Sequence, residues 1–530
     1  LAIVSAVVLL PMRGLWRAPG PPMEEGFMLV FPEQVLHGAI PNRDFLHLYG
    51  PGSLWVLAAV FKALGTSMWT ERAVGLAQQL ALIAAVYAMA RPWGRRIAAG
   101  GAAITAIIIL PPAGLTAMAW VGGAALGLWA MLAALRGRTL LAGLLAGAAL
   151  LYRPDLIIAV ALGLAVIWSI LEGRERKRLL TGSALGLSPF LVQVALAGPG
   201  HALFGMVLQP VFQLRSGRRL PLPPSWSHFD GFLQRAGELN ALGWPISWPP
   251  RPSQLTLWLV LLIASAVLLT VVGWRVRRRG PSTAAGCALL VMGAFSLGLL
   301  PQALQRPDST HLAWVGAVPF GLLPVAIAEL LRARRPSLRH GTRLLLAAAT
   351  PSVLLLVFVP HFTFGPYADM VAQTFDRHRE VYVMHNEGRS FYYGRHDAAD
   401  AVNAMLPVVN QIARPGDKLF VGTGDLRKTP YSEAFLYYLL PQTRPGTRYI
   451  EMDPGVANRD NSGLADDLES SDLVILSSIR DDWNEPNASR DVGSDQAVQV
   501  LRSRFCIVGS WGTGLFGRGL YELYERCDRH

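Results

Sequence analysis

Three of the carboxylates early in the chain stand in motifs: Glu24 and Glu25, followed by Gly26, and Asp44 within Pro41-Asn42-Arg43-Asp44-Phe45-Leu46-His47-Leu48-Tyr49-Gly50-Pro51-Gly52. Such a set can supply a general base and an orienting carboxylate, with His47 and Tyr49 offering further substrate contacts. Later come two Arg-Pro-Asp steps, Arg153-Pro154-Asp155 and Arg306-Pro307-Asp308, the second followed by His311. Proline breaks a helix at each step and leaves the two charges to meet across the turn. Arg215, Arg218 and Arg219 follow the amphipathic stretch His201–Leu214, and arginines in that setting can hold a lipid-linked phosphate. Each feature also has a structural reading. The carboxylates could be solvated loop charges, the Arg–Asp pairs clasps at helix ends, and the arginine cluster a headgroup contact. Trp226, Trp244 and Trp248 suit sugar stacking or an interfacial aromatic belt equally well.

The elements that position these residues are membrane spans. Hydrophobic residues make up 52% of the chain and charged residues 16%, and the mean hydropathy is positive. An integral membrane protein is the default for that composition. The net charge of +12 does not point to nucleic acid, because the arginines fall in short bursts between apolar runs. Those runs cover approximately 73–90, 97–113, 115–135, 139–152, 156–171, 179–197, 254–274, 283–300, 312–331 and 344–359. Leu1–Leu10 is too short to span and reads as the end of a truncated first helix. The expected count is therefore about eleven spans. Basic clusters at 91–96, 136–138, 174–178, 275–279 and 332–343 mark every second connection. Positive residues stay in the cytoplasm, so the alternate connections are expected outside. These are a first outer loop at 13–72, the turns at 111–114, 153–155 and 301–311, a long outer loop at 198–253 and the segment after Pro360, and together they gather all the candidate residues.

The expected architecture is an all-α polytopic membrane domain over 1–362, followed by a small extracytoplasmic α/β domain over 363–530. Short β-like runs at 418–421, 449–452, 472–476 and 505–509 alternate there with helical stretches at 398–412 and 432–440. Gly422-Thr423-Gly424 lacks the third glycine and the spacing of a dinucleotide loop. Cys506 and Cys527 lie on adjacent strand-like segments in an oxidising compartment and are expected to form a disulfide. Lysine is scarce while arginine, alanine and glycine abound, which suggests a high-GC genome.

The first outer loop resembles that of GT-C glycosyltransferases. It is more closely similar to the polyprenyl-phosphate-sugar-dependent group containing protein mannosyltransferases and lipid A aminoarabinose transferases. The matching residues are Glu24-Glu25-Gly26, Gly38-Ala39-Ile40-Pro41, Arg43-Asp44-Phe45 and Tyr49-Gly50-Pro51. That group usually shows Asp-Glu at the acidic pair, so Glu-Glu leaves open which of Glu24 and Glu25 is the base. The resemblance implies inverting transfer of a sugar from a polyprenyl-phosphate donor to an acceptor hydroxyl at the outer face of the cytoplasmic membrane. The high-GC composition makes an actinobacterial cell-envelope glycan or glycolipid the expected acceptor, with arabinofuranose or mannose as the donor sugar. No cofactor is implied, and the sequence offers no compact metal-ligand cluster. The competing readings are a transporter or flippase for lipid-linked glycans, which would want polar residues at the midplane, and a non-catalytic scaffold.

Overall fold

The computed structural model describes residues 2–223, 248–279, 284–377, 380–482, 485–514 and 518–529. Trp226 and Trp244 lie outside them. The chain opens with α1 (Ala2–Leu9), α2 (Met12–Arg17), α3 (Glu24–Leu36) and α4 (Pro51–Leu64). A helical bundle continues through α5 (Met68–Ala90), α6 (Arg95–Ile109), α7 (Ala119–Leu135), α8 (Thr139–Tyr152), α9 (Ile157–Trp168), α10 (Gly173–Leu187) and α11 (Pro189–Ala197). After α12 (Pro199–Leu203), two π-helical turns and the single turn α13 (Arg215–Gly217), it resumes with α14 (Arg251–Arg279), α15 (Ala284–Gln305), α16 (Ser309–Arg334) and α17 (His340–Phe358). Every apolar run in the sequence is helical, the run at 179–197 being shared by α10 and α11.

Among the described residues, six helical stretches are long and apolar enough to cross a membrane: Met68–Trp93, Gly173–Ala197, Arg251–Arg278, Ala284–Gln305, Ser309–Arg334 and His340–Phe358. The protein is a multi-pass membrane protein. Its shorter helices are accommodated by close packing. In α8 and α10, Gly143, Gly147, Gly182 and Gly186 face one another, and a Cβ at Gly143 or Gly182 would come within 2.1 Å of the opposing backbone carbonyl. Small residues spaced by four let membrane helices approach this closely. Basic connectors meet in two places: Trp93 donates to Glu329 at 2.9 Å, and Arg277 to the Ser169 hydroxyl at 3.0 Å.

Beyond α18 (Phe364–Thr374) the chain forms a hairpin, β1 (Tyr382–Asn386) and β2 (Arg389–Tyr393), then α19 (His396–Ile412) and β3 (Lys418–Thr423). There follow α20 (Phe435–Leu439), β4 (Arg444–Pro445), α21 (Leu464–Glu469), β5 (Leu473–Ser477), α22 (Gln496–Arg504), β6 (Phe505–Trp511) and β7 (Tyr521–Arg526). The sheet order is β4-β3-β5-β7-β6. β3 runs parallel to β4 and β5, while β7 runs antiparallel to β5 and β6. The helix α19 buries Ala398, Ala401, Val402, Met405 and Val409, a helical spacing that gives it one apolar face. Tyr449–Met452, read from sequence as a strand, is a turn: the Met452 N–H bonds the Tyr449 carbonyl at 2.9 Å, with Met452 at φ 47°. Its apolar residues fill the core as a strand's would, but the chain must reverse to aim Glu451 and Asp453 at Arg218.

Cys506 and Cys527 are joined by a disulfide, 21 residues apart in sequence. It ties the edge strand β6 to the end of β7. Replacing both cysteines by alanine is expected to destabilise the sheet region by about 3 kcal/mol. Urea titration followed by near-ultraviolet circular dichroism checks this, and midpoints identical to wild type would refute it.

Candidate active site

The helix α3 is set against the sheet region by Gly26. A Cβ there would lie 2.4 Å from the Phe435 nitrogen, so only glycine lets the first turn of α3 come this near to α20. Arg389 adds a paired hydrogen bond to Glu33 at 2.5 and 2.8 Å. This docking places Glu24 beneath Tyr431, whose hydroxyl donates to the Glu24 carboxylate and accepts from the Met23 N–H at 3.3 Å.

Neighbouring residues on a helix point in different directions, and the acidic pair divides accordingly. Glu25 turns away from Glu24 and is fully buried. It receives Arg72 Nε at 2.5 Å and Nη2 at 2.9 Å. Arg72 also donates to the Trp16 and Ala18 carbonyls at 2.7 and 3.0 Å. Glu25 is therefore committed to the framework, and Glu24 is the carboxylate of the pair that reaches the cavity.

That cavity has a volume of about 560 Å³. Its polar lining includes Glu24, Tyr49, Arg218, Arg306, Asp308, His311, Tyr431, Glu451, Arg480 and Glu485. Apolar lining comes from Pro111, Pro112, Met118, Trp314, Phe362 and Met370. The turn carrying Pro111 and Pro112 is pinned by Gln79, which donates to the Gly114 carbonyl at 2.7 Å.

Asp308 is the N-cap of α16 and accepts from the His311 N–H at 2.8 Å. Its carboxylate also holds His311 Nδ1 at 2.8 Å, which fixes the imidazole at the helix entrance. Burial raises the pKa of Asp308, but His311 and Arg306 outweigh it and hold the group below its ordinary value. Arg306 donates to Glu485 at 2.7 Å and to the Arg218 carbonyl at 2.9 Å. Arg218 in turn bridges Glu451 at 3.0 Å and Asp453 at 2.7 Å. A chain of alternating charges thus links the start of α16, the end of the 199–218 stretch and the sheet region.

Burial is the main cause that raises Glu24 above the ordinary carboxylate range, and the Tyr431 hydrogen bond and the charges of Arg306 and His311 only partly offset it. Glu451 is pushed up to about 7 by burial, with Asp453 and Glu24 adding to the effect against the opposing pull of Arg218. Burial also lifts Tyr49 to about 12, so its hydroxyl stays protonated.

Of the residues singled out from sequence, Glu24, Tyr49, Arg218, Arg306, Asp308 and His311 meet around this cavity. The others do not line it. Asp44 closes the 40–44 turn, accepting from the Ile40 N–H at 2.8 Å and pairing with Arg43 at 2.8 Å. His47 is a core residue packed edge-on against Phe31 and Tyr49, and burial lowers its pKa to about 3. Arg153 stacks 4.3 Å from the centre of the Tyr49 ring and pairs with Asp155 at 2.8 Å, supporting Tyr49 from behind. Arg215 and Arg219 are exposed, as is Trp248; only Arg218 of the cluster turns inward. Sequence reasoning missed Thr429, Tyr431, Glu451, Arg480 and Glu485. The one signal available was the acidic pair Glu451 and Asp453 interrupting an otherwise apolar run.

The whole chain superposes on crystal structures of ArnT from Cupriavidus metallidurans. The form bound to undecaprenyl phosphate gives a TM-score of 0.51 at 14% identity, covering 99% of this chain and 97% of that one. The apo form gives 0.50 with the same identity and coverage. The oligosaccharyltransferase AglB from Archaeoglobus fulgidus, in complex with an inhibitory peptide and a dolichol-phosphate, gives 0.48 at 11% identity, covering 96% of this chain and 72% of that one. No protein-family model matches the chain, and no curated protein matches it. The chain has the GT-C fold expected from its first loop.

Proposed function

We propose that this protein is an inverting glycosyltransferase that moves a sugar from a polyprenyl-phosphate donor to an acceptor hydroxyl. The observation that carries the reading is Glu24: a desolvated carboxylate on the wall of a large cavity, held by Tyr431 and within the charge field of Arg306 and His311. A raised carboxylate pKa suits a general base, because the group holds an abstracted proton more readily. In the step proposed, Glu24 takes the proton of the acceptor hydroxyl while its oxygen bonds to the anomeric carbon. The bond from that carbon to the phosphate oxygen breaks on the opposite face, and polyprenyl phosphate leaves with the electron pair.

Charge gathers on the departing phosphate, so cations and backbone dipoles aimed there lower the barrier. Arg306, His311 and the N-terminal turn of α16, where Ser309 and Thr310 also line the cavity, form that environment. The apolar lining from Trp314, Phe362 and Met370 suits a prenyl chain. The ArnT structure bound to undecaprenyl phosphate supports a lipid phosphate as one ligand of this fold. The donor sugar of arabinofuranose or mannose type, the envelope glycan or glycolipid acceptor, and action at the outer face of the cytoplasmic membrane complete the proposal. The helix ends opposite the basic connectors, among them Pro111, Asp308 and Phe362 on the cavity wall, are the outer ends by the positive-inside rule.

The test is incubation of purified protein in lipid nanodiscs with synthetic polyprenyl-phosphate sugars, following release of lipid phosphate. Release from one donor supports the reading and identifies the sugar. A folded sample that releases none from any donor refutes it and favours a scaffold. A pH profile gives a second check. Glu24 must be ionised to act, so kcat/KM is expected to fall with decreasing pH through a pKa above the ordinary 4.5. That limb should persist in Glu451→Gln; a profile flat down to the ordinary carboxylate range would contradict the role given to Glu24.

A further inference from the structure

Three groups on the cavity wall near Glu24 have unspent hydrogen-bonding capacity. Glu451 is 3% exposed. Its Oε2 accepts from Arg218 at 3.0 Å, while its Oε1 is buried without a partner among the described residues. Arg218 Nε and Thr429 Oγ1 are likewise buried and unpartnered. All three residues line the same cavity as Glu24. A buried polar atom left unpaired costs free energy, and its retention calls for an explanation such as a ligand.

The groups are held in place by the fold. Ser432 donates to the Ile450 carbonyl at 2.8 Å, bracing the turn that carries Glu451. The Thr429 N–H bonds the Ser489 carbonyl at 3.2 Å. Their chemistry differs usefully: an ionised Glu451 only accepts, Arg218 Nε only donates, and the threonine hydroxyl does either. A phosphate would satisfy the arginine and be repelled by the glutamate, while an amine would do the reverse. Neighbouring hydroxyls of a neutral sugar ring, each a donor and an acceptor, satisfy all three.

We infer that Glu451, Thr429 and Arg218 Nε form a sugar-hydroxyl binding site beside Glu24. The inference rests on the transferase reading for its purpose but not for its test. The ring could belong to the donor or to a glycan acceptor, and both present the same hydroxyls.

The probes are methyl α-mannopyranoside and methyl arabinofuranoside, with binding to the full chain in nanodiscs measured by saturation-transfer NMR. At least one should bind, and Glu451→Gln and Thr429→Val should each weaken it about tenfold, with thermal unfolding confirming that both variants are folded. Displacement by a synthetic polyprenyl-phosphate sugar assigns the site to the donor ring, and simultaneous binding assigns it to the acceptor. Failure of every glycoside to bind, or equal binding by wild type and both variants, overturns the inference. Glycoside binding that depends on Glu451, in a protein releasing no lipid phosphate, would remove the transferase reading and leave this site standing.

Discussion

Glu24→Gln is expected to lower kcat by about 10²–10⁴, the range supplied by a general base, while leaving the protein folded. Glutamine is close in shape and still accepts from the Tyr431 hydroxyl, so the contact between α3 and the sheet region survives. It cannot take a proton. Donor affinity should change little, because Arg306, His311 and the apolar lining are untouched. The measurement is initial-rate release of lipid phosphate at saturating donor, with unfolding midpoints recorded alongside. Turnover equal to wild type would exclude Glu24 as the base and remove the observation on which the proposed reaction rests.

Arg72→Met is expected to act on stability instead. It leaves the Glu25 carboxylate buried with no counter-charge and strips the Trp16 and Ala18 carbonyls of their donor. Breaking one side of a buried ion pair typically costs about 3–5 kcal/mol, whereas replacing both sides with apolar residues is often close to neutral. The double variant Glu25→Leu/Arg72→Met should therefore recover most of the loss. Unfolding in mixed micelles under increasing denaturant checks both. A double variant as unstable as the single one would show that the pair is not the source of the effect. The two adjacent glutamates thus predict opposite phenotypes, lost chemistry for Glu24 and lost fold for Glu25.

That contrast shows where sequence reading reached its limit. The family-like motif placed both glutamates in one candidate site, since spacing along the chain locates a motif but not the direction of each side chain. On a helix, adjacent residues diverge, and only the docking of α3 through Gly26 decides which one faces the cavity. The arginine run behaves similarly: Arg215 and Arg219 share one exposed face of a helical turn, and Arg218 takes the other. Asp44 followed the motif but was drawn into its own turn by the Ile40 N–H, a local bond that competes with any distant role.

The sequence by itself determined where the apolar helices lie and that the chain is a multi-pass membrane protein, because hydropathy acts over short stretches of chain. Among the described residues, six of those helices are long and apolar enough to span, against an expected count of about eleven. It also held the Arg306–Asp308 pairing across the proline turn, because those partners are local. Only the tertiary structure decided the site. Tyr431 lies 407 residues from Glu24 and Glu451 lies 233 from Arg218. Contacts at such separations have no periodicity to betray them; they exist because docking α20 and its neighbours against α3 brings side chains from distant segments together.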